Sequence, residues 1–191
     1  SNKGINYYNF KINIIIPIVF SQTDNIKLSF VKSLTKIIAK IATINVLDLA
    51  NVFKEDIDNC NIFNKDNYGD FIKKLKEEIL DDTYYLLIGL ANMSSLLDKD
   101  SYNELLSLLN NQSSNTLKHI IIASSTDVIK SVKIESWYKN NVNEKYYIWL
   151  GDDIANQYVL AVPNIPYEEK KIIFDYMGLA IYKGKYEMIK Y

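Results

Sequence analysis

The residues Ser21 to Ser29, SQTDNIKLS, stand between an apolar run, INIIIPIVF, and a long amphipathic stretch, FVKSLTKIIAKIA. That is where a phosphate-binding loop would stand. A loop of the form G-x-x-x-x-G-K-[ST] works because its glycines let backbone N–H groups wrap the phosphates, its lysine supplies charge and its hydroxyl ligates magnesium. Laid over this segment, the form puts Ser21 and Ile26 at the glycine positions, Lys27 at the lysine and Leu28 at the hydroxyl. Only Lys27 matches. Ile26 is β-branched and resists the positive φ that glycine accepts, and Leu28 cannot ligate a metal. Ser29 lies about 100° further round the helix and points elsewhere.

A nucleotide site also needs an apolar strand ending in acids, to hold magnesium and orient water. The matching strand reads YYLLIGLANM, with Gly89, Leu90, Ala91 and Asn92 where those acids would be. Asp48 ends a different strand and has no hydroxyl partner on the loop. All 22 basic residues are lysine, so the chain cannot supply an arginine finger to itself or to a copy. Three independent parts of the machinery are missing. The expectation is a domain that does not hydrolyse ATP or GTP, with no catalytic residue to assign.

Other reactive residues do not form constellations. His119 is the only histidine and begins a strand, so a catalytic base would lack a partner. Cys60 lies in a polar segment with no neighbour to lower its pKa. One cysteine and one histidine give no zinc cluster. The acid pairs Asp81/Asp82, Asp152/Asp153 and Glu168/Glu169 are adjacent in sequence and face apart, which suits turns and caps. No metal and no cofactor are expected. Most of the 15 tyrosines, 7 phenylalanines and 2 tryptophans are expected in the core or in helix-to-sheet packing; Trp137 and Tyr138 stand outside the strands in IESWYKNNV and are the candidates for contact with a partner.

These residues sit in a chain of 191, long enough for one well-buried domain. A formal net charge of −1 with scattered lysines and acids gives no field for nucleic acid or an anionic membrane. The longest apolar run, Ile12 to Phe20, is too short to span a bilayer. Strands are expected at 12–20, 43–50, 83–91, 119–125, 146–151 and 158–163. Helices are expected from Leu28 to Ile41, at 68–82 and at 100–111, the last capped by Asp100. The segment 51–66 reads as loop. Lys183 and Gly184 separate two alternating segments, a hairpin signal. Strands alternating with helices predict a three-layer α/β fold with a mainly parallel sheet, closed by an antiparallel hairpin.

The order of elements, FSQTDNIKLS, TYYLLIGLANM, HIIIASS, and above all YYIWLGDDIANQYVLAVP followed by MGLAIYKGKYEMIKY resemble an FtsK/SpoIIIE-type ATPase module, a P-loop NTPase-like (RecA/FtsK-like) fold. Gly151 and Gln157 match a glycine turn and a glutamine of that family. More specifically the chain resembles the last, degenerate ATPase-like module of EssC-like type VII secretion coupling proteins of Gram-positive bacteria. The resemblance covers Ile12 to Tyr191. It implies that residues 1–191 are one module of a larger membrane-anchored protein, on the cytoplasmic side of the membrane. The implied partners are secreted helical proteins and neighbouring ATPase modules, with contact to the membrane only through the parent and none with nucleic acid. Two other readings stay open: a weak nucleotide-sensing regulator using Lys27, and a stand-alone α/β enzyme with an unrecognised site.

Overall fold

A computed structural model describes residues 15–21, 25–111, 117–151, 154–170 and 176–190. The elements are β1 (Ile16–Phe20), α1 (Asn25–Ala39), β2 (Thr43–Asp48), β3 (Cys60–Phe63), α2 (Tyr68–Lys76), β4 (Thr83–Ile88), α3 (Met93–Leu96), α4 (Lys99–Asn110), β5 (Lys118–Ser125), α5 (Thr126–Val132), α6 (Ser136–Asn141), β6 (Tyr146–Leu150), α7 (Tyr167–Lys170), β7 (Met177–Tyr182) and β8 (Lys185–Lys190). Short 3-10 turns at Leu90–Asn92 and Ile154–Asn156 follow β4 and β6.

The strands form one eight-stranded sheet in the order β3-β2-β4-β5-β1-β6-β7-β8. Pairing is parallel from β3 through β6, and β7 and β8 join antiparallel. The central strands are apolar on both faces because helices and loops cover both. On one face, α2 to α6 pack Phe71, Leu75, Met93, Leu105, Leu109, Ile129, Trp137 and Tyr138 against Val19, Tyr85, Leu87, Ile122 and Trp149. On the other, α1 packs Val31, Ile38 and Ala39 against Ile18, Phe20, Ile44, Leu86 and Ala123.

Three expectations need correction. The segment read as loop contains β3, because Cys60 to Phe63 complete the ladder beside β2 and Asn61 Nδ2 donates to the buried Asn45 Oδ1 at 2.9 Å. The cap of α4 is Asp98, not Asp100: its Oδ1 accepts from Asp100 N at 3.0 Å and Ser101 N at 2.9 Å. Residues 158–163 do not form a strand, since Gln157 takes their hydrogen bonds. Its Oε1 accepts from Val159 N and Leu160 N, both at 2.8 Å, and its Nε2 donates to Leu160 O at 3.0 Å. Asp152/Asp153 and the 12–14 end of the first expected strand lie outside the described residues. The hairpin forms as expected, with Lys183 at φ 51 and Gly184 at φ 76, the positive pair that a type I′ turn requires.

Candidate functional site

At the carboxyl ends of the parallel strands, β1 leads to α1 on one face while the adjacent β5 leads to α5 on the other. Oppositely directed connections from neighbouring strands leave a crevice, the usual ligand position in an open α/β sheet. A cleft of about 450 Å³ occupies it, lined by Ser21 from the end of β1, by Thr126, Asp127 and Lys130 from α5, and by Trp149 and Tyr158 beyond. Its chemistry is mixed: one exposed lysine, one exposed carboxylate, hydroxyls and an aromatic rim. Lys133 also lines the cleft, but its charge is met by Glu144 at 2.6 Å.

The expected loop residues do not converge on this cleft. Ser21 lines it. Ile26 and Leu28 are half-buried, with Leu28 packed on the α1 side of the core. Lys27 is only 5% exposed. Its stem lies against Gly151, where a Cβ would come within 2.9 Å of Lys27 Cε and 3.1 Å of Nζ. Gly151 has φ +89. Its missing side chain and positive φ make room for the lysine to cross from α1 to the turn after β6.

The strand-end positions are likewise absorbed by the fold. Gly89 adopts φ 84, ψ 38, and a Cβ there would meet Ala50 N and the Leu49 carbonyl carbon at 2.8 Å. Leu90 is buried in the core. Because β5 lies between β1 and β4, the loop and the strand end stand roughly 10 Å apart, two strand spacings. Asp48 is buried and its carboxylate accepts from Phe53 N at 2.8 Å and Ala50 N at 3.2 Å, holding the turn out of β2.

Trp137 and Tyr138 are not a partner surface. Each is 2% exposed, because α6 lies on α4 and Asn141 Nδ2 ties the two by donating to Leu109 O and Asn110 O, both at 3.0 Å. Trp137 Nε1 and Tyr138 OH are buried without a hydrogen-bond partner. Burial, then the charge of Glu144, push the Tyr138 phenol well above its ordinary value. His119 pairs through Nε2 with Asp82 Oδ1 at 2.7 Å and stacks on Tyr84 with centroids 4.5 Å apart, far from the cleft at the amino end of the sheet. Cys60 sits on β3, where burial pushes its thiol up to about 11. The cleft residues Thr126, Asp127, Lys130 and Tyr158 carry no sequence pattern of their own, and only the topology brings them together.

No family model and no curated protein sequence matches this chain. Solved structures do. The cytoplasmic domain of EssC matches with TM-score 0.62 and 11% identity, over 91% of this chain and 39% of that one. ATPases 2 and 3 of EccC from Thermomonospora curvata, in complex with a signal sequence peptide, match with TM-score 0.60 and 13% identity, over 93% and 36%. This is the fold of an FtsK/SpoIIIE-type ATPase module. The conjugation coupling protein TcpA of pCW3, solved with ATPγS, shares that fold with TM-score 0.59 and 15% identity, over 93% of this chain and 60% of TcpA. The chain therefore spans about two fifths of the EssC and EccC structures it resembles. Here Lys27 is folded under Gly151 and Gly89 is wedged against the exit of β2.

Proposed function

We propose that the chain is a non-hydrolysing, ATPase-like module of a type VII secretion coupling protein, contributing to the recognition or recruitment of secreted protein substrates. One observation carries the first half: Lys27, the single residue matching the phosphate loop, is buried against Gly151. Around it the loop lacks glycines at Ser21 and Ile26, and β4 ends in Gly89 and Leu90 rather than acids. An anion arriving at the start of α1 would meet a helix dipole without the cradle that makes such sites strong.

The recruiting role is supported by the fold likeness to EccC, a protein solved with a signal sequence peptide. The parent would be membrane-anchored and carry further ATPase modules, with this one on the cytoplasmic side. Among the described residues no helix is long and apolar enough to cross a membrane. Calorimetric titration with magnesium ATP, beside a pull-down with a helical secretion substrate of the same organism, tests both halves. No heat at millimolar ATP with the substrate retained is the expected result. Micromolar ATP binding that Lys27→Ala abolishes would overturn it and make the loop a working nucleotide sensor, a reading that the ATPγS-bound TcpA fold keeps in view.

A further inference from the structure

β8 ends the sheet, and nothing among the described residues pairs with its far side. The direction of its backbone groups follows from its neighbours. Met177 O accepts from Gly151 N, just beyond β6, at 2.8 Å, and in an antiparallel ladder a residue's N–H and C=O point to the same side. Met177, Leu179 and Ile181 therefore bond to β6, and Gly178, Ala180 and Tyr182 bond to β8. Through the register Gly178↔Ile189, Ala180↔Glu187 and Tyr182↔Lys185, the backbone groups of Lys185, Glu187 and Ile189 are taken up by β7. Tyr186, Met188 and Lys190 direct theirs outward.

Sheet edges are commonly blunted by a short strand, a proline or a bulge. The opposite edge, β3, is four residues long. β8 has six, Lys185–Lys190, with no proline and an unbroken register. A groove of about 500 Å³ lies beside it, lined by Gly184, Lys185, Tyr186 and Met188 from the hairpin and by Asn164 and Glu169 from the segment that leads into α7. Successive side chains on a strand point to opposite faces, so a cavity that both Lys185 and Tyr186 line reaches the backbone itself. The far wall is tied to the strand, because Tyr186 OH donates to Glu169 Oε2 at 2.5 Å. Met188, on the same face as Tyr186 and 42% exposed, gives the groove an apolar floor.

The edge also has a sign. Lys183, Lys185 and Lys190 are exposed along the hairpin, against Glu187 as its exposed acid. Neither Lys185 nor Lys190 has an ion-pair partner among the described residues. On α7, Glu169 is engaged by Tyr186, and Glu168 and Lys170 offset each other. Edge lysines resist pairing with a like-charged strand, and the same charges favour an acidic one. A second β8 would bring its own lysines to this edge. Its six residues also fall short of the roughly 20–30 that each side of a stable interface supplies.

We propose that β8 and its groove take up one extended segment of a separate partner protein as an added strand, apolar where it faces α7 and acidic toward its ends. Backbone bonds to Tyr186, Met188 and Lys190 supply affinity, the groove beside Met188 selects an apolar side chain, and the lysines select charge. The site shares no lining residue with the cleft at β1 and β5, and it depends on neither the nucleotide half nor the secretion half of the functional reading.

The test is fluorescence anisotropy of a labelled peptide of about ten residues, alternating Val and Thr between terminal Glu pairs, titrated with the full chain. Binding that weakens with salt is expected. Met188→Pro removes an outward N–H and no bond to β7, so the ladder survives while binding falls about tenfold or more. Met188→Glu keeps every backbone group, guards against a folding defect in the proline variant, and should weaken binding of this acidic peptide too. On peptide addition, amide exchange read by NMR should slow at Tyr186, Met188 and Lys190 and stay unchanged at Glu187 and Ile189, already bonded to β7. Undiminished binding by either variant with an unchanged melting curve overturns the proposal, as does protection elsewhere or no binding by the wild type at millimolar peptide. So does equal binding of a peptide with Lys in place of Glu, self-association of the chain that Met188→Pro abolishes, or binding only after removal of residues 1–14.

Discussion

Replacing Gly89 by alanine tests whether the end of β4 has been committed to structure. Gly89 holds φ 84, ψ 38, a left-handed conformation that costs an L-residue about 1–2 kcal/mol. The added Cβ would sit 2.8 Å from both Ala50 N and the Leu49 carbonyl carbon, and 3.1 Å from Leu49 Cβ. Two of these are backbone atoms that cannot swing aside. Moving them disturbs the turn in which Leu49 N donates to Ile88 O at 3.0 Å and Asn92 Nδ2 donates to Leu49 O at 3.0 Å. Overpacking of this kind costs about 1–3 kcal/mol, giving a total near 2–5 kcal/mol and a melting temperature lowered by roughly 4–20 °C. Gly69→Ala is the control: nothing lies within 4 Å of its Cβ position in α2, and it should stabilise by about 0.5–1 kcal/mol. Equilibrium urea unfolding of the two variants reads the difference. If Gly89→Ala unfolds within about 0.5 kcal/mol of wild type while Gly69→Ala behaves as stated, the reasoning is wrong. If it holds, Gly89→Asp will suffer the same cost, and a metal-binding acid cannot simply be restored there.

Gly178→Ala places a Cβ into the backbone carbonyl of Trp149 and 3.1 Å from Leu150 Cδ2; β6 and β7 must part, and soluble yield or melting temperature should fall further than for Gly89→Ala. Backbone and side-chain hydrogen bonds from Ser101, then Tyr68, hold the Asp98 carboxyl well below the usual carboxylate range. A depressed folded pKa stabilises above the unfolded value of about 3.9 and is lost as pH falls below it, so Asp98→Ala should lower the melting temperature at pH 7 and flatten its decline on acidification. Cys60, its thiol pushed up to about 11 by burial, should react with a thiol reagent at pH 8 at least about tenfold more slowly in the folded chain than in urea, where a free thiol sits near 8.5. Equal rates would mean that β3 opens readily.

The fold class was legible in the sequence because the apolar runs at 16–20, 43–48, 83–88, 118–125 and 146–150 are short, doubly apolar and separated by helical patterns. Local chemistry wrote the Lys183–Gly184 turn as plainly. The strand β3 was not legible, since CNIF has one clear apolar pair and is a strand only because β2 offers it an edge. Nor was the loss of a strand at 158–163, where a single side chain, Gln157, outbids the ladder for two N–H groups.

The sequence by itself determined what chemistry is missing: an isoleucine cannot behave as glycine, a leucine cannot ligate magnesium, and a chain without arginine has no planar cation to offer. Those are properties of residue types and need no coordinates. Tertiary structure alone decided where the remaining groups went. Lys27 at the start of a helix could point to solvent or inward, and the space left by Gly151, in the turn after β6 and more than a hundred residues later, draws it in. Trp137 and Tyr138 could cover a partner or the core, and α4 claims them for the core. Ile37 and Ile38 are alike in type and adjacent on one helix; that Ile38 meets the sheet while Ile37 faces outward is set by how the β1–α1–β2 crossover lays α1 on the sheet, a property of the whole chain rather than of any segment of it.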